Sequence, residues 1–191
     1  MNGGAWLDLG DQRVAWILRD LDRVREETER ARRGEFTLGH QAGHPFGFPS
    51  LTCPGEVALG IVAADPAGEL RALRAELGEY PEALRARMLD WLWEAGFGLD
   101  VARKPPPRGG TAYVAMCVTR AVGIMAHALL AWARQWVVNE KGLVEAAEAV
   151  PVAPDRFAAR AHACSALGSD LTRSLDQTRA LLDDVRTAVT A

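Results

Sequence analysis

A single carboxylate surrounded by aromatic and small residues is the feature of this sequence best suited to chemistry. Glu94 lies in the run WLWEAGFGL, close to two tryptophans and a phenylalanine. Apolar surroundings raise the pKa of a carboxyl group and suit it to act as a general base, whereas a cation from a neighbouring helix would hold it in its charged form. Spacing alone favours the second, structural interpretation. Glu94 is therefore a candidate catalytic residue with a structural alternative.

The segment 111–138 is almost entirely apolar, yet polar side chains recur in it every seven positions. If the segment is one helix, these side chains share a face. Buried cationic side chains require acidic partners or a polar cavity. The stripe therefore predicts either a site for an anionic or polar ligand, or ion pairs with carboxylates such as Asp90 or Glu94. The stripe consists of Tyr113, Arg120, His127 and Arg134.

Further candidates for contact with a polar substrate lie outside the regular segments. The stretch 34–56 is rich in glycine and proline, and it places His44 beside two phenylalanines. Loops of this kind often close over a ligand, although a structural histidine is an equal alternative. The predicted helix break at 139–142 adds Glu140 and Lys141 as substrate-binding candidates.

Asp20 and Asp22 are weak candidates for metal ligands. Their D-x-D spacing would place both carboxylates on one face of a strand. They stand, however, where a strand is expected to give way to a helix, and an acidic residue commonly stabilises a helix amino terminus. The capping interpretation is favoured.

The elements that position these residues predict an α+β fold, mostly a helical bundle with a small amino-terminal β-hairpin. The apolar runs 5–9 and 14–18 flank a turn at Gly10 and Asp11, which is typical of a hairpin. Pro54, Pro66 and Pro81 mark helix starts.

We expect two domains, a β/α segment and loop over 1–53 and a bundle over 54–191. A short strand is expected at 36–38, and helices at 21–33, 55–63, 67–77, 82–103, 111–138, 143–150, 155–167 and 170–188.

Composition restricts the class of protein. The 191 residues are 49% hydrophobic with a net charge of −3, which excludes global disorder and makes nucleic acid an unlikely partner. Three cysteines at wide spacings fit neither a disulfide framework nor a zinc site. The longest uncharged run of the apolar segment, 121–133, is short for a membrane span. Since no basic residue precedes Arg13, we expect no secretory signal and a cytoplasmic protein.

Two long runs of the sequence resemble a known family. LRARMLDWLWEAGFGLDVARK and ARQWVVNEKGLVEAAEAVPVAPDRFAARAHACSALG are similar to the carboxy-terminal helical domain of antibiotic-type nucleotidyltransferases. The first residues, AWLDLGDQRVAWILRDLDRV, resemble the last strands of the polymerase-β-like catalytic domain that precedes it. The resemblance implies transfer of a nucleoside monophosphate from a nucleoside triphosphate to a substrate hydroxyl, with magnesium held by carboxylates on the catalytic sheet.

The resemblance carries over to only some of the residues. Glu94 falls where the family has a general base for the acceptor hydroxyl. Gly98 stands where the family has a lysine that assists with phosphate, a role that Arg120 or Lys141 would have to supply. The Gly-Ser motif and its two carboxylates are missing, and Ala15 stands where a third carboxylate is expected. The resemblance therefore implies a degenerate or incomplete member, which uses magnesium if active and no cofactor otherwise.

Two other functions remain open. The chain could be a non-catalytic binding or interaction module that uses the stripe for a nucleotide or another small polar ligand. Arg120 and His127 also enclose six residues, a loose match to the signature of HEPN ribonucleases, which cleave RNA without metal. We expect no membrane partner. A homodimer is expected, since a truncated sheet leaves an unpaired edge.

Overall fold

The computed structural model describes residues 2–104, 110–167 and 170–190. The fold is α+β and mostly helical, with 59% of residues in helices and a small antiparallel sheet at the amino terminus, which confirms the expected fold class. The strands are β1 (Asn2–Leu9), β2 (Gln12–Arg19), β3 (Leu38–Gly39) and β4 (Phe48–Pro49). The helices are α1 (Leu21–Arg32), α2 (Thr52–Leu59), α3 (Glu69–Leu77), α4 (Glu82–Asp90), α5 (Leu92–Arg103), α6 (Thr111–Trp132), α7 (Leu143–Glu148), α8 (Phe157–Ser165) and α9 (Leu171–Thr190).

Strands β1 and β2 form the predicted hairpin, and most of its side chains are exposed. Trp6 pairs with Ala15 in the register of the two strands, and Ala5 pairs with Trp16. Trp6 is 88% exposed and Trp16 is 61% exposed. At the base of the hairpin, Arg19 donates two hydrogen bonds of 2.8 and 2.6 Å to the carboxylate of Glu56 on α2. The hairpin therefore has a fixed base and presents apolar side chains to solvent.

Helix α1 begins at Leu21 as expected and ends at Arg32, one residue before the expected end. The Asp20 carboxylate accepts hydrogen bonds from the amides of Asp22 and Arg23, as an amino-terminal cap does. Gly34 ends the helix with φ of +76°. A Cβ on Gly34 would lie 2.6 Å from the carbonyl oxygen of Ala83 on α4. Glycine is therefore needed here both for its backbone conformation and for the close approach of α4.

A small second core joins α1 to α2 and α3. Its buried side chains come from all three helices, and they are Val24, Cys53, Val57, Leu73 and Leu77. The domain boundary that we placed between residues 53 and 54 falls inside α2. The division into two domains stays a prediction.

Helix α6 is the centre of the main core, where it packs against α4, α5, α7, α8 and α9. Every residue from 121 to 131 is buried. By length and composition α6 could cross a membrane, but 72% of its 18-residue apolar stretch is buried inside the protein. The core helix of a globular protein passes the same test, so α6 is weak evidence for a membrane span.

Most helix boundaries differ from the expected ones by one to four residues: α2 covers 52–59 rather than 55–63, with Pro54 inside it, and the strand expected at 36–38 lies at 38–39. Two larger differences concern the helices that carry the candidate residues. The helix expected over 82–103 is divided at Trp91, where the Glu94 amide bonds to the Trp91 carbonyl three residues back. The Trp91 ring is buried, with its centroid 5.0 Å from that of Phe36. Helix α6 ends at Trp132 rather than near 138, because Arg134 adopts a left-handed conformation with φ of 56°.

Candidate functional site

A groove of about 380 Å³ lies between α5 and α6. Its lining is mostly apolar, and Glu94 and Arg120 supply its charged groups. Trp93 and Phe97 on α5 are 54% and 60% exposed, and Met116 on α6 is 64% exposed. The volume falls in the usual range for small-molecule sites, about 300–1,000 Å³. The groove therefore combines aromatic walls with one charged pair.

Both oxygens of the Glu94 carboxylate have hydrogen-bond partners. Arg120 Nε donates to Oε1 at 2.6 Å, and its Nη2 lies 2.6 Å from the same oxygen. The indole nitrogen of Trp91 donates to Oε2 at 2.5 Å. The Glu94 side chain is 30% exposed and that of Arg120 is 38% exposed. The ion pair that the sequence allowed between the stripe and Glu94 is therefore present, and it faces an open groove.

Arg120 also joins the groove to the strap, by which we mean residues 40–47 between β3 and β4. Its Nη1 donates to the carbonyl oxygen of Phe46 at 3.3 Å. The guanidinium carbon lies 5.3 Å from the ring centroid of Phe46 and 5.8 Å from that of Trp91. Contacts of this type between a cation and an aromatic face are favourable. Arg120 is therefore fixed by an acidic group, a carbonyl and two aromatic rings.

A second polar site lies in the interior, behind the strap. His44, His127 and Glu140 line a cavity of about 10 Å³ together with Thr52 and Asn139. His127 is 2% exposed, and the Phe46 ring stacks on it with centroids 5.3 Å apart. Burial lowers the pKa of His127 to about 4, so the imidazole is neutral at pH 7.

The four residues of the predicted stripe lie in four different environments. Tyr113, on the first turn of α6, is 40% exposed, and its hydrogen bond with Cys117 raises its pKa. Arg120 faces the groove, and His127 faces the interior cavity. Arg134 lies beyond the end of α6, where its guanidinium is 2.8 Å from the carboxylate of Glu82. The structure therefore does not bring the four residues into one site.

The remaining candidates are dispersed. Lys141 is exposed, and its amide bonds to the side chain of Asn139. Asp20 caps α1, and Asp22 pairs with Arg25 at 3.1 Å. Over residues 2–104, 110–167 and 170–190, no group of three or more His, Cys, Asp and Glu side chains is placed to hold a metal ion.

Sequence reasoning did not assign roles to two residues that shape the site. Trp91 holds Glu94 Oε2, and Phe46 contacts both Arg120 and His127. The available signals were two aromatic clusters, the tryptophans next to Glu94 and the phenylalanines next to His44. Neither pattern indicates which ring turns inward, because sequence spacing does not specify how a ring packs against other elements.

Comparison of this chain with protein-family models, with curated proteins and with solved structures finds no match.

Proposed function

We propose that this chain is a nucleotidyltransferase-like protein, degenerate or incomplete, related to enzymes that transfer a nucleoside monophosphate to a hydroxyl group of a small molecule. The groove between α5 and α6 supports this proposal. Glu94, which the resemblance implies as the general base, lines an open cavity large enough for a small molecule. This placement of a carboxylate beside an open groove is the observation that carries the proposal.

In this proposal the groove is the acceptor site. A sugar or another hydroxylated molecule packs against Trp93 and Phe97, and one of its hydroxyl groups approaches the carboxylate of Glu94. A general base must lie within hydrogen-bond distance of the proton that it takes. Glu94 can accept this proton when the acceptor hydroxyl replaces the indole of Trp91 at Oε2, while Arg120 continues to hold Oε1.

An active form of the protein would need magnesium. The ion would stabilise the charge that develops on the transferred phosphate. Asp20 and Asp22 do not fit this role. Asp20 caps the first turn of α1, and Asp22 pairs with Arg25. Neither carboxylate is therefore placed as a magnesium ligand, and no cofactor is needed if the protein is inactive.

A binding module without catalysis is the second candidate function. It is favoured by the two hydrogen bonds and the ion pair that already occupy both oxygens of Glu94. A carboxylate held in this way can fix the position of a nucleotide or another small polar ligand without removing a proton from it. Ligand-induced thermal stabilisation without turnover distinguishes this function from transfer.

The ribonuclease alternative has less support from the geometry. His127 is 2% exposed and lies beneath Phe46, so its ring has no access to an RNA backbone in this conformation. A general base or acid has to come within hydrogen-bond distance of the reacting group.

We propose that the protein has no nucleic-acid or membrane partner and that its location is cytoplasmic. We also propose a homodimer formed through the exposed hairpin.

A transfer assay on the purified chain tests the proposal. With ATP or GTP, magnesium and an aminoglycoside, we expect no transfer by this chain alone, because Asp20 and Asp22 are engaged elsewhere. Glu94→Gln tests for residual activity, with Glu148→Gln on the exposed face of α7 as the matched control. If the chain shows turnover that is lost in Glu94→Gln and kept in Glu148→Gln, it is a complete transferase. Its metal ligands are then residues other than those considered above.

A further inference from the structure

Two buried polar atoms without hydrogen-bond partners belong to residues that line the same small cavity. They are Nε2 of His127 and Oε1 of Glu140. Buried polar groups in native proteins nearly always have a partner, so an orphaned pair calls for a physical explanation. An unpartnered buried donor or acceptor carries a large desolvation cost. A shared partner between the two atoms removes this cost for both.

The cavity has the size and the chemistry to hold that partner. Its volume of about 10 Å³ corresponds to roughly one water molecule. His44 Nδ1 lies 3.6 Å from Glu140 Oε1, which is too far for a direct hydrogen bond. The hydroxyl-bearing Thr52 and the amide-bearing Asn139 also line the cavity. A buried water usually has two to four polar partners, and this cavity offers that number.

We propose that the cavity binds one water molecule, which bridges His127 Nε2 and Glu140 Oε1. The neutral imidazole accepts one hydrogen bond from the water, and the carboxylate accepts the other. A lone pair of the water then remains for a proton on His44 Nδ1. The water thus joins the core helix α6, the strap and the segment that follows α6.

The bridged water acts as a latch for the strap. His44 and Phe46 belong to the same short loop, so a latch at His44 fixes the position of Phe46. The Phe46 ring covers His127, and its carbonyl accepts a hydrogen bond from Arg120. The interior site therefore positions a partner of the Glu94–Arg120 pair. This inference does not depend on the proposed function, because it follows from the burial of two unpartnered atoms.

A high-resolution crystal structure of the full chain is the direct test. We expect one spherical density peak at about 2.6–3.2 Å from both His127 Nε2 and Glu140 Oε1. An empty cavity would overturn the inference. So would a peak with an anomalous signal at about 2.0–2.2 Å from the histidine nitrogen, which is the distance of a metal ligand.

Hydrogen exchange tests the latch in solution. Glu140→Leu removes the acceptor, and Glu148→Leu makes the same change at an exposed position. Within the strap, the His44 amide bonds to Gln41 and the Gly47 amide to His44. In Glu140→Leu we expect these two amides to exchange roughly tenfold faster, with the amides of α9 unchanged. Equal exchange in Glu140→Leu and Glu148→Leu would show that no latch exists.

Discussion

Glu94 is held on two sides, by Arg120 from α6 and by Trp91 at the junction of α4 and α5. The pair is partly exposed, and ion pairs of this kind contribute only about 0–1 kcal/mol to stability. Its two hydrogen bonds do more to orient the carboxylate than to stabilise the fold. The sequence allowed an ion pair between the stripe and Glu94, and the structure contains it. The hydrogen bond from Trp91 was not assigned from the sequence, because the three-residue spacing does not specify which neighbouring polar group the indole contacts.

His127 makes stability dependent on pH. Burial lowers the pKa of His127 from 6.5 to about 4 in the folded protein. As the pH falls below 6.5, the unfolded chain takes up a proton that the folded imidazole does not, so the free energy of unfolding decreases down to about pH 4. The gap between the two pKa values corresponds to about 3 kcal/mol.

Urea unfolding of wild type and His127→Gln at several pH values measures this effect. We expect the wild type to lose about 3 kcal/mol more than the variant between neutral and mildly acidic pH. His40→Gln, a change at an exposed histidine of the strap, is the control and should keep the wild-type loss of stability at acidic pH. Identical pH profiles for wild type and His127→Gln would contradict the burial of a neutral imidazole.

Helix positions were predictable from proline, glycine and apolar spacing, whereas helix ends were not. The starts of α4 and α6 agree with the expected positions at 82 and 111. The end of α6 was missed because a non-glycine residue, Arg134, adopts the left-handed conformation that usually indicates glycine. Its amide bonds to the carbonyl of Ala131, and that of Gln135 to the carbonyl of Leu130. This hydrogen-bond pattern has no sequence signal here.

The packing of the strap against α6 depends on Gly123. A Cβ at Gly123 would overlap the ring of Phe46, which is itself enclosed by Arg120, Trp91 and His127. Any larger residue must therefore displace the ring and with it the strap. A Cβ at Gly98 on α5 would meet no atom within 4 Å.

We expect opposite effects of the same substitution at these two glycines. Gly123→Ala should destabilise the protein by about 1–3 kcal/mol, because it forces the Phe46 ring out of its contacts. Gly98→Ala should stabilise it by about 0.5–1 kcal/mol, since alanine favours the helix and fits without a clash. Denaturant unfolding of both variants provides the measurement. A stabilising Gly123→Ala would show that the strap does not pack as described.

The hairpin formed by β1 and β2 exposes large apolar side chains that no other described part of the chain covers. Within the part of the chain that the structure describes, β1 and β2 pair only with each other. Isolated two-stranded sheets are marginally stable in water, and unpaired edges promote association. Two apolar runs on either side of a turn predicted the hairpin. They could not predict what covers the hairpin, because both of its faces are apolar.

We expect the chain to associate through this hairpin at high protein concentration. Trp16→Thr keeps the preference for a strand but removes a large exposed ring, so it should shift the equilibrium toward monomer. Trp93→Thr, which removes a comparably exposed ring from the groove, is the control. Light scattering over a range of concentrations makes the comparison. A wild-type protein that stays strictly monomeric would contradict the proposed dimer.

The molecule as a whole combines an open groove, a fixed carboxylate and a strap that joins them to the core. If the groove is the acceptor half of a transferase-like cleft, hydroxylated small molecules should bind there and depend on Glu94. Arg120 neutralises the carboxylate, so binding should depend more on hydrogen bonds and aromatic contact than on net charge.

Nuclear magnetic resonance titration of the labelled chain with a panel of aminoglycosides and nucleosides tests this claim most directly. We expect shifts of the Trp93 indole and the Met116 methyl group, lost in Glu94→Gln and retained in Glu148→Gln. A panel that leaves both groove signals unchanged, or that binds equally well to Glu94→Gln, would contradict the assignment of this groove as an acceptor site.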